Sequence, residues 1–267
     1  MAVFFSYSFL VQTLIVGLLL SICAALAGVP IVLKKNSMIG DGLSHVGFGA
    51  VAIATVLGLA PLEFAIPAVI IASFFILKLE DNHKISGDSA IAIISASALA
   101  LGTFLISITK GVNIDLNSYL FGNILSINNT DIIFSIILTT IILTIYLISY
   151  NKIFTLTFDE KFAKSIGVKT DFYRVLFAIL CSIIVVLGMR LMGTLLISSL
   201  LIFPTLSAMQ LFKKFKTVVI FSVLISALTF TLGLFISYIC ATPTSSTIVL
   251  SNLVTFLLVK IINLMLK

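Results

Sequence analysis

Long apolar stretches recur along almost the whole chain, at about 9–33, 43–60, 62–79, 89–109, 131–150, 172–189, 191–212, 217–240 and 246–266. Each is near the roughly 20 apolar residues that carry a helix across a bilayer. In lipid every backbone N–H and C=O must find a partner within the protein, which leaves helices as the structure for such stretches. The expectation is an all-α, polytopic transmembrane helical bundle of about seven to nine spans, in a single membrane domain over residues 1–267. The count is open at the short turns around Ala60-Pro61 and Arg190, where one stretch can be re-entrant. Charged residues make up 10% of the chain and hydrophobic ones 60%, against about 25% charged in a soluble domain. So few charges cannot cover a water-facing surface, which excludes a soluble enzyme.

The net charge of +6 comes from 16 basic and 10 acidic residues. The basic residues fall singly or in pairs between apolar runs, with no basic face or aromatic platform for nucleic acid. Their placement speaks to topology instead. With nine alternating spans, Lys34, Lys35, Lys152, Lys161, Lys164, Lys213 and most other cations fall on one side, leaving Lys110 and Arg190 on the other. Cytoplasmic loops retain Lys and Arg, so the N-terminus is expected outside, the C-terminus inside, and the polar loop at 151–171 in the cytoplasm. No basic residue precedes the first span, so it is read as a retained helix and not a cleaved signal. Cys23, Cys181 and Cys240 lie far apart in apolar runs and read as packing residues.

Charge inside a bilayer is costly, so a charged group that persists there marks a candidate pathway. Glu63, Lys78, Asp131, Arg174 and Lys260 sit near span edges, within reach of the interface. Asp41 and His45 differ: they lie in Gly40-Asp41-Gly42-Leu43-Ser44-His45 at the start of the second span, and a spacing of four puts them on one helical face. A carboxylate and a neutral imidazole suit Zn(II), Mn(II) or Fe(II), and the absence of thiolates points to a weak, open site. The bland reading has Asp41 capping the helix and His45 bonding a carbonyl. Gly40, Gly42, Gly47 and Gly49 permit either close helix approach or local unwinding.

Other polar positions are weaker signals. Asp88, in Ser86-Gly87-Asp88-Ser89, reads first as a helix cap and second as a pore-facing ligand. His83 belongs to a short charged loop and reads as solvated. Asn113, Asp115, Asn117, Tyr119 and Asn123 suggest a short outer helix at the mouth. Pro204 is expected to kink the seventh span, because proline removes a ladder donor. The segment Phe158 to Val168 reads as a short helix with acidic Asp159 and Glu160 at its start and Gly167 as its stop. Such a helix either docks another protein or lies on the membrane surface. No G-x-x-x-x-G-K-[ST] loop, His-Glu-x-x-His or G-x-S-x-G pattern is present, so neither ATP hydrolysis nor protease or esterase chemistry is expected of this chain.

Together these residues resemble a family. Gly40-Asp41-Gly42-Leu43-Ser44-His45 is similar to the Gly-Asp-x-Leu-[Ser/Ala]-His signature of the metal-transporting ABC-3 permeases. Ile114 to Leu125 is similar to that family's Asp-Leu-x-x-Tyr-Leu-Phe-Gly-Asp-Leu-Leu segment, and Gly193 to Pro204 to its Gly-x-Leu-Leu-x-x-[Ala/Ser]-Leu-Leu-Ile-x-Pro stretch. Asp88 falls where the family has an acidic residue, and Ala163 with Gly167 fits its cytoplasmic coupling segment. At Ala241-Thr242-Pro243-Thr244-Ser245 the chain departs from the usual Asp-x-Pro-x-Gly.

The resemblance implies the membrane permease of a bacterial ABC importer in the cytoplasmic membrane. It implies a homodimer forming the pore, two separate ATP-binding subunits docked beneath it, and an extracytoplasmic metal-binding protein above. Asp159, Glu160, Ala163 and Gly167 would couple to the ATPases, while Asp41 and His45, with Asp88 as a weaker candidate, would meet the ion in transit. The neighbourhood of Tyr119 to Gly122 is most similar to the zinc branch, so Zn2+ is the expected cargo, with Mn2+ and Fe2+ open and no permanently bound cofactor. A gradient-driven secondary carrier and a non-transporting scaffold are the rival classes.

Overall fold

The computed structural model describes residues 8–81, 86–109, 122 and 129–265, and among them no strand occurs. The helices are α1 (Ser8–Leu33), α2 (Ile39–Val56), α3 (Pro61–Asp81), α4 (Gly87–Ile108), α5 (Asn129–Phe158), α6 (Glu160–Ser165), α7 (Thr170–Met192), α8 (Thr194–Leu211), α9 (Phe215–Cys240) and α10 (Thr244–Met265). All but α6 are long and apolar enough to span, which makes nine candidate spans among the described residues. The shortest, α2 and α8, have 18 residues, about 27 Å of helix against a hydrocarbon core of about 30 Å.

Three span edges differ from those read off the apolar runs. The second helix runs over Ile39–Val56 and not about 43–60. Asp41, Ser44 and His45 lower the local apolarity, yet they form its first two turns. The fifth continues through Phe158, which shortens the polar loop expected at 151–171 to residues 159–169. The seventh passes through Arg190 to Met192, and the chain turns at Gly193, whose φ of 90° and ψ of 158° suit a residue without a side chain. Both short turns therefore join separate long helices.

Packing centres on α1, α7 and α8. Leu20, Ala24, Val186, Leu196, Ile197 and Leu200 are fully or almost fully buried. Between α8, α9, α10 and α1 the contacts include side-chain hydrogen bonds. Thr229 Oγ1 donates to Asn252 Oδ1 at 2.7 Å, Asn252 Nδ2 to Ser199 Oγ at 3.3 Å, and Ser226 Oγ to the Ser21 carbonyl at 2.9 Å. Such bonds join helices where lipid provides no hydrophobic drive. Pro204 is buried within α8, which continues unbroken across it.

At one end of the bundle, Lys34 after α1, Glu80 in α3, Glu160 in α6 and Arg174 in α7 line a common cavity of about 600 Å³. This places the ends of those helices together, as alternation of nine spans requires.

Candidate functional site

The site grows from α2, whose glycines let its neighbours approach closely. A Cβ on Gly42 would stand 2.2 Å from Ile91 Cγ2, and one on Gly49 2.4 Å from the Ala98 carbonyl oxygen, both in α4. The glycines thus serve close approach; α2 is helical throughout, with no unwinding. The pairs 42/91 and 49/98 share one offset, so α2 and α4 run parallel and in register. Gly40 faces Leu201 of α8, and Gly47 faces Met189 of α7. At 100° per residue, Asp41 and His45 fall on the strip between the α4 and α8 sides, and both are only half-buried.

Along that strip His45 Nε2 stands 3.4 Å from Asp41 Oδ2. Asp41 is not the cap: the N-cap position is Met38, which makes no side-chain cap bond, and the bland reading of that residue is overturned. Asp41 lies in the first turn, where the positive end of the helix dipole favours a carboxylate. Ser44 Oγ donates to the Gly40 carbonyl at 2.7 Å, so the small polar residue between the pair is occupied within the helix. A cation at about 2.1 Å from both His45 Nε2 and Asp41 Oδ2 would see them at about 110°, near the tetrahedral value. Among the described residues no group of three or more His, Cys, Asp or Glu could hold a metal. As metal ligands the two side chains would leave the other coordination positions of a cation open.

Asp88 is exposed in the first turn of α4 and is not its cap. Ser86 is, with its Oγ accepting from Ser89 N at 3.2 Å. The cap expected at Asp88 therefore falls two residues earlier. By the α2–α4 offset Asp88 is level with Ile39, within about one turn of Asp41 along the axis. His83 and the outer segment with Asn113, Asp115, Asn117, Tyr119 and Asn123 lie outside the described residues.

The segment expected to couple to ATPases is a separate short helix. Asp159 caps it, Oδ1 accepting from Phe162 N at 2.9 Å, and Glu160 pairs with Lys164 at 3.6 Å. It starts at Glu160 and not at Phe158, because Phe158 closes α5 and the chain breaks at the cap. Gly167, at φ +80°, ends it. Ala163 is fully buried and Val168 nearly so, while Phe158, Phe162 and Ile166 are exposed. The helix is thus anchored by a small residue and turns Phe162 outward, with Phe158 at the end of α5 and Ile166 just past α6 exposed beside it.

Sequence reasoning missed the ionic cluster beside it. Arg174, read as a snorkelling residue, lies 3.8 Å from Glu80 Oε2 and donates to the Leu77 carbonyl at 3.5 Å. Glu80 also accepts from Asn36 Nδ2 at 3.4 Å. Burial holds the Lys34 ammonium below the usual lysine range, against the raising pull of Glu160 and Glu80. Partners this far apart in sequence leave no local signal. At the opposite end the departing turn is tied down: Ser237 Oγ donates to the Thr242 carbonyl and Ser245 Oγ to that of Met192, both at 2.7 Å.

Known proteins share the sequence and fold of this chain over most of its length. The manganese import system permease protein ScaB of Streptococcus gordonii is 35% identical over 251 residues, 94% of this chain and 90% of that protein. The high-affinity zinc uptake system membrane protein ZnuB of Haemophilus influenzae is 29% identical over 94% of this chain and 97% of its own length. The solved structure of PsaBC from Streptococcus pneumoniae in complex with Fab matches with a TM-score of 0.83 and 34% identity, covering 95% of this chain and 91% of that one. Residues 6–263 match the ABC 3 transport family, and the chain belongs to that family.

Proposed function

We propose that this chain is the permease of an ABC importer and passes a divalent first-row transition-metal cation between two copies of itself. The observation that carries this reading is the Asp41–His45 pair: two ligands 3.4 Å apart, half-exposed on a strip that α4 and α8 leave uncovered. An ion in transit needs ligands that hold it briefly, and a two-ligand site with open positions does so. Its remaining ligands come from water, backbone carbonyls or the second copy. Coordination needs an ionised carboxylate and a neutral imidazole, so uptake falls in mild acid.

The Lys-rich end of the bundle is the cytoplasmic one, which puts the N-terminus outside. Since α2 starts at that end, the ion meets Asp41 and His45 late on its inward path. There Phe162 of α6, flanked by Phe158 and Ile166, is offered to a separate ATP-binding subunit, one beneath each copy, while an extracytoplasmic binding protein delivers the ion at the opposite end. Family membership favours this ATP-driven scheme over a gradient-driven carrier.

For the cargo, the resemblance around Tyr119 to Gly122 supports Zn(II). The higher identity to a relative named for manganese import supports Mn(II) as the second reading. Competition uptake in a host lacking its own permease decides: radioactive zinc uptake that excess Mn(II) leaves undiminished supports zinc, and radioactive manganese uptake that excess Zn(II) leaves undiminished supports manganese. Undiminished uptake without the ATPase subunit would contradict the coupling.

A further inference from the structure

The cavity of about 600 Å³ at the root of α6 is charged on both sides. α6 presents Glu160, Lys161 and Lys164 to it, while the ends of α1, α3 and α7 present Lys34, Glu80, Asp171 and Arg174. Glu80 and Arg174 already face each other at 3.8 Å. One cation, Lys34, and one acid, Asp171, remain on the bundle side, and each has its opposite on α6 across the gap. Charges so nearly balanced select no free ion; the two walls complement each other. We propose that α6 is a strap poised to close this cavity, with Glu160 passing from Lys164 to Lys34 at the end of α1 as the ATP-binding subunit presses on Phe162. The inference rests on the permease reading and adds the contact through which α6 acts on the bundle.

Lys34 is the group that this closure satisfies. It is partly buried and forms no ion pair with a described residue, and of the two acids that act on it Glu160 does so more strongly than Glu80. Glu160 leaves Lys164 at small cost, because an i,i+4 pair on an exposed helix contributes little. Beside a partly desolvated ammonium the same carboxylate gains more, since attraction strengthens as water is excluded. The strap has a hinge at each end. The chain leaves the helical path at Asp159, and again at Gly167, where φ is +80° and nothing is packed where a side chain would stand. Within α6 only Ala163 is buried, so the helix rocks on a small residue. A pull on α1 also has a route toward the ion pair. Gly28 of α1 lies against the Leu201 carbonyl of α8 with no room for a side chain, and Leu201 Cδ1 lies against Gly40, next to Asp41.

Proteoliposomes holding the permease with its ATP-binding subunits and metal-loaded binding protein test this. The readout is radioactive Zn(II) or Mn(II) taken up per ATP hydrolysed, in a cycle of Lys34→Met, Glu160→Gln and the double variant. Each single substitution is expected to lower that ratio about tenfold, the size of one coupling contact. The double variant is expected to lower it by the same factor and no further, because both substitutions remove one contact. A double variant down about a hundredfold, the product that independent sites give, or a single variant with the wild-type ratio, would overturn the strap. Absence of ATP-driven uptake by the wild type would overturn the permease reading and the strap with it, so the two failures are told apart.

Discussion

Gly49 of α2 approaches Ala98 of α4 until a Cβ on the glycine would stand 2.4 Å from the Ala98 carbonyl oxygen. The obstructing atom belongs to a helix backbone and cannot swing aside. Gly49→Val is therefore expected to destabilise the bundle by about 1–3 kcal/mol or more, as overpacking does. The check is loss of the monodisperse chromatographic peak and a lower melting temperature in detergent, with Ala100→Val, at an exposed position of α4, as a comparison for general handling effects.

The Thr229–Asn252 bond tests how much buried polar contacts hold the C-terminal helices. A double-mutant cycle of Thr229→Val and Asn252→Leu is expected to give a coupling of about 0.6–1.7 kcal/mol. A coupling of zero, measured by thermal or denaturant unfolding, would mean that this bond adds nothing to the packing of α9 on α10.

Lys34 makes stability depend on pH with a definite sign. Its folded pKa lies below the ordinary 10.5 because of burial, so between the two values the unfolded chain binds more protons and stability rises with pH. The melting temperature is expected to climb as pH rises toward 10.5 by more in the wild type than in Lys34→Met. Identical slopes would show that Lys34 is solvated.

Phe162, exposed on α6 and flanked by Phe158 and Ile166, is the aromatic anchor of the expected ATPase contact. Truncating an interface anchor costs about 2 kcal/mol or more, about 30-fold in affinity. Phe162→Ala should leave the melting temperature unchanged and weaken co-purification of the ATPase subunit by that order. Intact assembly would move the docking surface elsewhere.

The helices were legible because each apolar stretch is near the length of a bilayer, and the Asp41–His45 pair because a spacing of four sets two side chains on one face. The start of α2 was misplaced by the same residues that make it informative: Asp41, Ser44 and His45 depress local apolarity, yet the helix includes them. The short helix at Glu160–Ser165 was legible from its acidic start and the glycine that follows it, but the cap at Asp159, which sets its first residue, was not. The Arg174–Glu80 contact, the Lys34 environment and the nesting of Gly42 on Ile91 were not. Each joins elements far apart in the chain, where neither period nor composition records who meets whom.

The account turns on the ion path, and the most direct measurement is radioactive metal uptake by cells whose only permease of this kind carries Asp41→Ala or His45→Ala at normal membrane levels. Even residues that merely support metal ligands are worth roughly 10–100-fold, so each substitution is expected to lower uptake at least tenfold, with an unchanged melting temperature. Full uptake by either variant would contradict the assignment of that residue to the path.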